Sequence, residues 1–287
     1  MNLLLIHGRS QQGNNPTILQ QTWERVLEKG FKSAGLSRPP NIQVVFPFYG
    51  DKLDLLIKQL DAPMFEDILS RGGNRANGEL AFRAEVYAEI AAGIGVPDNE
   101  IDANLGPGPR ERGPLNWNWV HAVLKTLDRT PLGSTAIDTF TRDVYVYLTN
   151  QAVRQQIDKI VMDKVSSGEW TVIAHSLGSI VGYNVLRATN NINVSRYITL
   201  GSPLGIRAIQ ARLDLPLTMP ACTKSWYNAL DKRDVVALYP LDAHNFAIQP
   251  EITNNTNVDN FTDNRHGIEG YLNDVDVARH IVSALLT

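Results

Sequence analysis

Trp170-Thr171-Val172-Ile173-Ala174-His175-Ser176-Leu177-Gly178-Ser179 is the stretch on which the fold turns. Residues 170–174 form a short apolar, β-branched run with the character of a buried strand. His175 and Ser176 make a sharp turn, and an apolar helical pattern follows. Ala174 lies two residues before Ser176 and Gly178 two after, the spacing of a nucleophilic serine carried on a strained strand-to-helix turn. Small residues are required there because the strand and helix backbones pass closely. The helix N-terminus offers free N–H groups and a partial positive charge, so the Leu177 N–H is a candidate oxyanion donor. The alternative reading of Ser176 is a helix cap after a strand.

Outward from this turn, short apolar runs alternate with helical periodicity, the pattern of a parallel sheet with helices on both faces. Leu3–Ile6, Ile42–Phe46, Tyr197–Leu200 and Trp226–Leu230 join Trp170–Ala174 as expected strands. Gln20–Phe31, Ala152–Val165, Ile180–Ala188 and Val275–Leu286 are expected helices. Residues 50–148, between the second and third strands, are too long for a loop and too lightly patterned for a second core. Helices are expected there over Asp51–Leu60, Glu79–Ile94 and Asn116–Leu127, and irregular chain over Leu105–Pro114. This insertion reads as a largely helical cap or lid over the sheet's edge. The whole chain, 1–287, is then one α/β domain with the cap set into it.

Composition narrows the partners. The 287 residues are 43% hydrophobic, which excludes a disordered chain. Against 30 acidic residues stand 27 basic ones, so no nucleic acid partner is expected. No apolar run approaches the ~18 residues of a membrane span, and none has the form of a signal peptide. With a single cysteine, Cys222, a cytoplasmic protein is expected. Neither metal-ligand spacing nor a nucleotide fingerprint occurs, so no metal and no cofactor is expected.

Taken with this strand pattern, Ala174-His175-Ser176-Leu177-Gly178 resembles the nucleophile turn of the α/β-hydrolase superfamily, in its serine esterase and lipase branch. The resemblance covers most of the chain outside the insertion. It implies a minimal doubly wound sheet of about six mostly parallel strands, because the chain begins at what is the family's third strand. It also implies a catalytic serine, acid and histidine in that chain order. His7-Gly8-Arg9 after the first strand is similar to the family's oxyanion loop, which assigns the second donor to the Arg9 N–H; a plain turn is the other reading. Asp234, in Asp231-Lys232-Arg233-Asp234-Val235-Val236, resembles the family's acid, with Asp231 as the alternative. His266 lies in the loop before the last helix, where the family keeps its base, with His244 as the alternative. Ala174 departs from the family's more usual glycine but is small.

The implied activity is hydrolysis of a small-molecule or lipid ester through an acyl-enzyme, with Ser176, Asp234 and His266 as the catalytic set. The same set serves amidases, peptidases, thioesterases and acyltransferases, and a non-catalytic receptor is a further alternative. Four residues are weaker candidates for substrate contact. Tyr49 follows the second strand, His175 adjoins the serine, and Trp117 and Trp119 lie in the cap. Each has a simpler reading as packing.

Overall fold

The computed structural model describes residues 1–60, 74–105 and 116–287, with the backbone alone at 74–77 and 117. Its centre is one six-stranded sheet, all parallel, in the order β2-β1-β3-β4-β5-β6. The strands are β1 Asn2–Ile6, β2 Gln43–Val45, β3 Glu169–His175, β4 Asn193–Leu200, β5 Trp226–Ala229 and β6 Thr253–Asn255. The helices are α1 Pro16–Ser33, α2 Gly50–Leu60, α3 Asn74–Gly93, α4 Asp98–Ala103, α5 Trp117–Thr126, α6 Ser134–Thr149, α7 Gln151–Met162, α8 Leu177–Ala188, α9 Arg207–Gln210, α10 Ile268–Leu272 and α11 Val275–Leu285.

Local chemistry sets the helix starts. Asn15 accepts from the N–H groups of Thr17 and Ile18 ahead of Pro16. Asn150 does the same for Ala152 and Val153, and Asp274 for Asp276 and Val277. Parallel strands are buried on both faces, and β1 alternates accordingly. Leu3 and Leu5 face a cluster with Trp23, Phe31, Tyr271 and Ile281 of α1, α10 and α11. Leu4 and Ile6 face the larger cluster, which contains α7, α8 and the described helices of the insertion.

Several expectations change. The insertion holds two helices the pattern did not reveal, α4 and α6, and the irregular stretch expected at Leu105–Pro114 lies almost wholly outside the described residues. Strand β6, of sequence Thr-Asn-Asn, carries no apolar run to announce it.

Topology positions the site. From β1 the chain crosses to β2 on one side, then returns to β3 on the other, so the winding reverses between β1 and β3. Crevices at such reversals, beyond the carboxyl ends of the strands, are where open α/β sheets bind ligands. Register aligns those ends: Ile6 pairs with Ala174, His175 with Leu200, and Leu200 with Ala229.

Candidate active site

Ser176 sits between β3 and α8 at φ 55° and ψ −130°, a left-handed backbone that strains a non-glycine residue. Three of the four such residues among those described, Ser10, Ser176 and Arg265, lie on or beside one crevice. The turn is held by the Ser176 N–H donating to the Leu200 carbonyl (3.1 Å) and by Ser179 Oγ donating to the Ser176 carbonyl (2.6 Å). Gly178 is obligatory, since a Cβ there would come within 2.5 Å of the His7 carbonyl oxygen. Leu177 is the first residue of α8, so its N–H has no carbonyl a turn back to bond.

Side chains from three strand ends meet here. His266 Nε2 lies 2.8 Å from Ser176 Oγ, and His266 Nδ1 lies 2.7 Å from Asp234 Oδ2. An ionised carboxylate only accepts, so Nδ1 carries the proton and Nε2 is left to accept from the serine hydroxyl. Asp234 is fully buried, and its Oδ1 accepts from the Val236 N–H (2.9 Å) and the Ala237 N–H (3.4 Å). His266 is held by its loop: Asn264 accepts its N–H, Thr262 accepts the next N–H, and buried Asn260 donates to the Gly267 carbonyl.

Asp231 does not join this chain of bonds. It binds Arg233 and accepts from the Asn260 N–H (2.8 Å), tying the loop after β5 to the loop that carries His266. His244 is exposed, with no ring contact to the site among the described residues.

The His7-Gly8-Arg9 segment lies against the serine; a Cβ on Gly8 would come within 2.9 Å of Ser176 Cβ. His7 Nε2 accepts from the Tyr49 N–H (3.1 Å), which leaves Nδ1–H to donate to the Gly8 carbonyl (2.6 Å). In a trans peptide the carbonyl and the following N–H point oppositely, so this bond turns the Arg9 N–H away from the His7 ring. That N–H has no acceptor among the described residues. The Arg9 side chain reaches into the insertion, where Nε pairs with Asp143 of α6 (2.8 Å). Burial pushes the Asp143 carboxyl up, and Arg9 opposes the shift.

A cavity of about 610 Å³ opens on Ser176. One wall is apolar: Leu132, Ala136 and Phe140 from the insertion, with Val236. Thr262, Asp263, Asn264 and Glu269 make the wall beside His266 polar, and Leu19 and Trp23 of α1 contribute apolar surface.

The candidate contact residues fare differently. His175 lines the cavity, but its Nε2–H donates to the His266 carbonyl (2.8 Å), and burial holds its imidazole well below the usual range. Tyr49 does not reach the cavity. It is buried under the His7-Gly8-Arg9 segment, stacked on His7 at 4.0 Å, and its hydroxyl donates to the His7 carbonyl. Packing against the loop's underside takes precedence over its position at a strand end. Trp119 is half-buried against the larger core cluster and is not in the cavity wall. The Trp117 side chain lies outside the described residues.

Sequence reasoning missed Tyr271, whose hydroxyl donates to Asp234 Oδ2 (2.6 Å), and Asn260, the brace of the histidine loop. An aromatic five residues beyond the histidine was the one available signal for Tyr271. Among the described residues no group of three or more His, Cys, Asp or Glu side chains could hold a metal ion, and no helix is long and apolar enough to cross a membrane. No family model, no curated protein and no solved structure matches the chain.

Proposed function

We propose that this protein is a serine hydrolase with an α/β-hydrolase-like fold, cleaving a carboxylic ester through an acyl-enzyme. One observation carries the reading: an unbroken hydrogen-bonded chain from Ser176 Oγ through His266 to Asp234, opening on a cavity at the sheet's reversal point. Each part has a role that its position suits. Ser176 Oγ attacks the ester carbonyl carbon while His266 Nε2 takes its proton. Asp234 holds the imidazole in the required tautomer and stabilises imidazolium as it forms.

The N–H groups of Arg9 and Leu177 are the proposed oxyanion donors, each contributing about 3 kcal/mol to the transition state in comparable sites. The tetrahedral adduct collapses, the C–O bond breaks, and His266 returns the proton to the departing alkoxide. Water then enters, gives its proton to His266 and attacks the acyl carbon; a second collapse restores the Ser176 hydroxyl and releases the acid.

Because His266 protonates the leaving group, the alcohol is assigned to the polar wall at Thr262–Asn264. The acyl group takes the apolar wall of Leu132, Ala136 and Phe140. The substrate is thus a small-molecule or lipid ester, and no cofactor enters the cycle. The single, half-buried thiol of Cys222 fits a cytoplasmic protein.

The test is direct. The protein should hydrolyse p-nitrophenyl esters and be labelled by a fluorophosphonate. Ser176→Ala should lose labelling and at least about a thousandfold in kcat. A folded Ser176→Ala protein with wild-type turnover ends the proposal. Preference for anilides or thioesters in a substrate panel would keep the residues and change the bond.

A further inference from the structure

Tyr271 has no place in the proton transfers just described, yet it is bonded to their most buried member. It lies on α10, five residues after His266, and is wholly inaccessible to solvent. Its hydroxyl donates to Asp234 Oδ2 at 2.6 Å, the same oxygen that accepts from His266 Nδ1 at 2.7 Å. With the Val236 and Ala237 N–H groups on Oδ1, the carboxylate has its acceptor positions filled. The Tyr271 oxygen in turn accepts from the Asp231 N–H at 3.3 Å, so the phenol links both ends of the acid loop.

We propose that Tyr271 is a positioning residue that shares the charge of Asp234 Oδ2 with His266 and thereby extends the active range of the site to lower pH. The inference rests on the serine-hydrolase reading for its consequence in catalysis, but not for the bond itself. A second donor on Oδ2 draws negative charge away from the imidazole. Less charge facing His266 means that imidazolium, the form that cannot accept the serine proton, is less favoured at rest. Burial, and then the charge of Asp234, push the Tyr271 hydroxyl well above its usual range, so it remains a donor wherever the enzyme is folded.

The other titratable and charged groups around the pair come from several segments. His175, the last residue of β3, has its ring 4.8 Å from the His266 ring. Asp231 precedes Asp234 on the acid loop, and Arg265 adjoins His266 and bonds the Asn260 carbonyl. Asp263 and Glu269 line the cavity beside it. Directly after β4 the neighbour is Gly201, which carries no charge. Among the described residues, Tyr271 is the side chain besides His266 that bonds Asp234.

Two substitutions should move the acid limb of kcat/KM in opposite directions. Tyr271→Phe removes the donor and should raise the limb by about half a pH unit. Replacing Tyr271 with 2,3-difluorotyrosine, a more acidic phenol of nearly the same size, should lower it. A purely structural role would change the folded fraction without these opposed shifts. The titration of the His266 nitrogens, followed by ¹⁵N NMR, should move in the same directions. That readout needs no turnover, so it stands if the protein proves not to hydrolyse esters. If Tyr271→Phe does not fold, the fluorinated protein alone decides. An unmoved limb and an unmoved His266 titration in the folded fluorinated protein overturn the proposal.

Discussion

At the scale of single residues, burial of polar groups governs both the site and the pH response. His7 is wholly buried, and burial lowers its imidazole to about 4, against a smaller opposing effect from its bond to Gly8. An unfolded histidine titrates near 6.5. Above that pH both states are neutral and the folded protein keeps the full benefit of the His7 bonds. As pH falls from about 6.5 to 4, the unfolded chain binds a proton that the folded one does not, so stability declines, by about 3 kcal/mol in all. His175 shifts in the same direction. Asp158, pushed up to about 6 by burial, works oppositely, since its cost appears as pH rises. The total slope therefore combines His7, His175 and Asp158, and a difference isolates His7. In urea unfolding, His7→Gln should be less stable than wild type at pH 7, and the gap should narrow by about 3 kcal/mol at pH 4. Parallel curves for the two proteins would contradict it. Ser176, Asp234 and His266 were legible because each follows a strand or precedes a helix in a recognisable order. Tyr271, Asn260 and the roles of His7 and Asp231 were not. Their importance lies in contacts between segments that only the folded chain brings together.

At the scale of elements, α6 is both the least legible helix and the one that shapes the cavity. Its sequence, Ser134–Thr149, is rich in Thr, Val and Tyr, residues of modest helix propensity, and Val144-Tyr145-Val146-Tyr147 alternates as a strand would. Residues 143–148 are buried on every side, so no amphipathic stripe marks it. The five strands β1 to β5 were legible as apolar runs closed by turn residues; β6, three polar residues at the sheet's edge, was not. Helix α6 supplies Ala136 and Phe140 to the apolar wall and Asp143 to the Arg9 ion pair, so one element touches both the proposed acyl site and the proposed oxyanion loop. If the acyl group lies along this wall, Ala136→Trp should fill it. We expect kcat/KM for an octanoyl ester to fall by at least about tenfold while an acetyl ester stays within about threefold. Equal losses on both esters, measured in parallel, would move the acyl group elsewhere.

At the scale of the whole molecule, two cores clamp the sheet, and the site is assembled where their loops converge. The described insertion helices share the larger core with α7 and α8, so the insertion is continuous with the sheet's packing rather than a separate layer. On the other face α1 packs against α10 and α11, and α10 follows directly from the His266 loop. Gly30 is the point of closest approach: a Cβ there would overlap the carbonyl oxygen of Leu272 and lie 3.2 Å from its carbonyl carbon. Gly30→Ala therefore sets two effects against each other. Helix propensity alone favours alanine by up to about 1 kcal/mol. Overpacking a backbone carbonyl, which cannot rotate aside as a flexible side chain would, costs about 1–3 kcal/mol. The steric effect should win, lowering Tm by a few degrees in a chain of this size. Because relief requires α1 and α10 to separate, the strain should also reach Tyr271, and with it the acid limb of the pH profile. A Tm raised by the substitution would mean that α1 already stands clear of α10, and that the histidine loop is anchored by the Asn260 and Asp231 bonds alone.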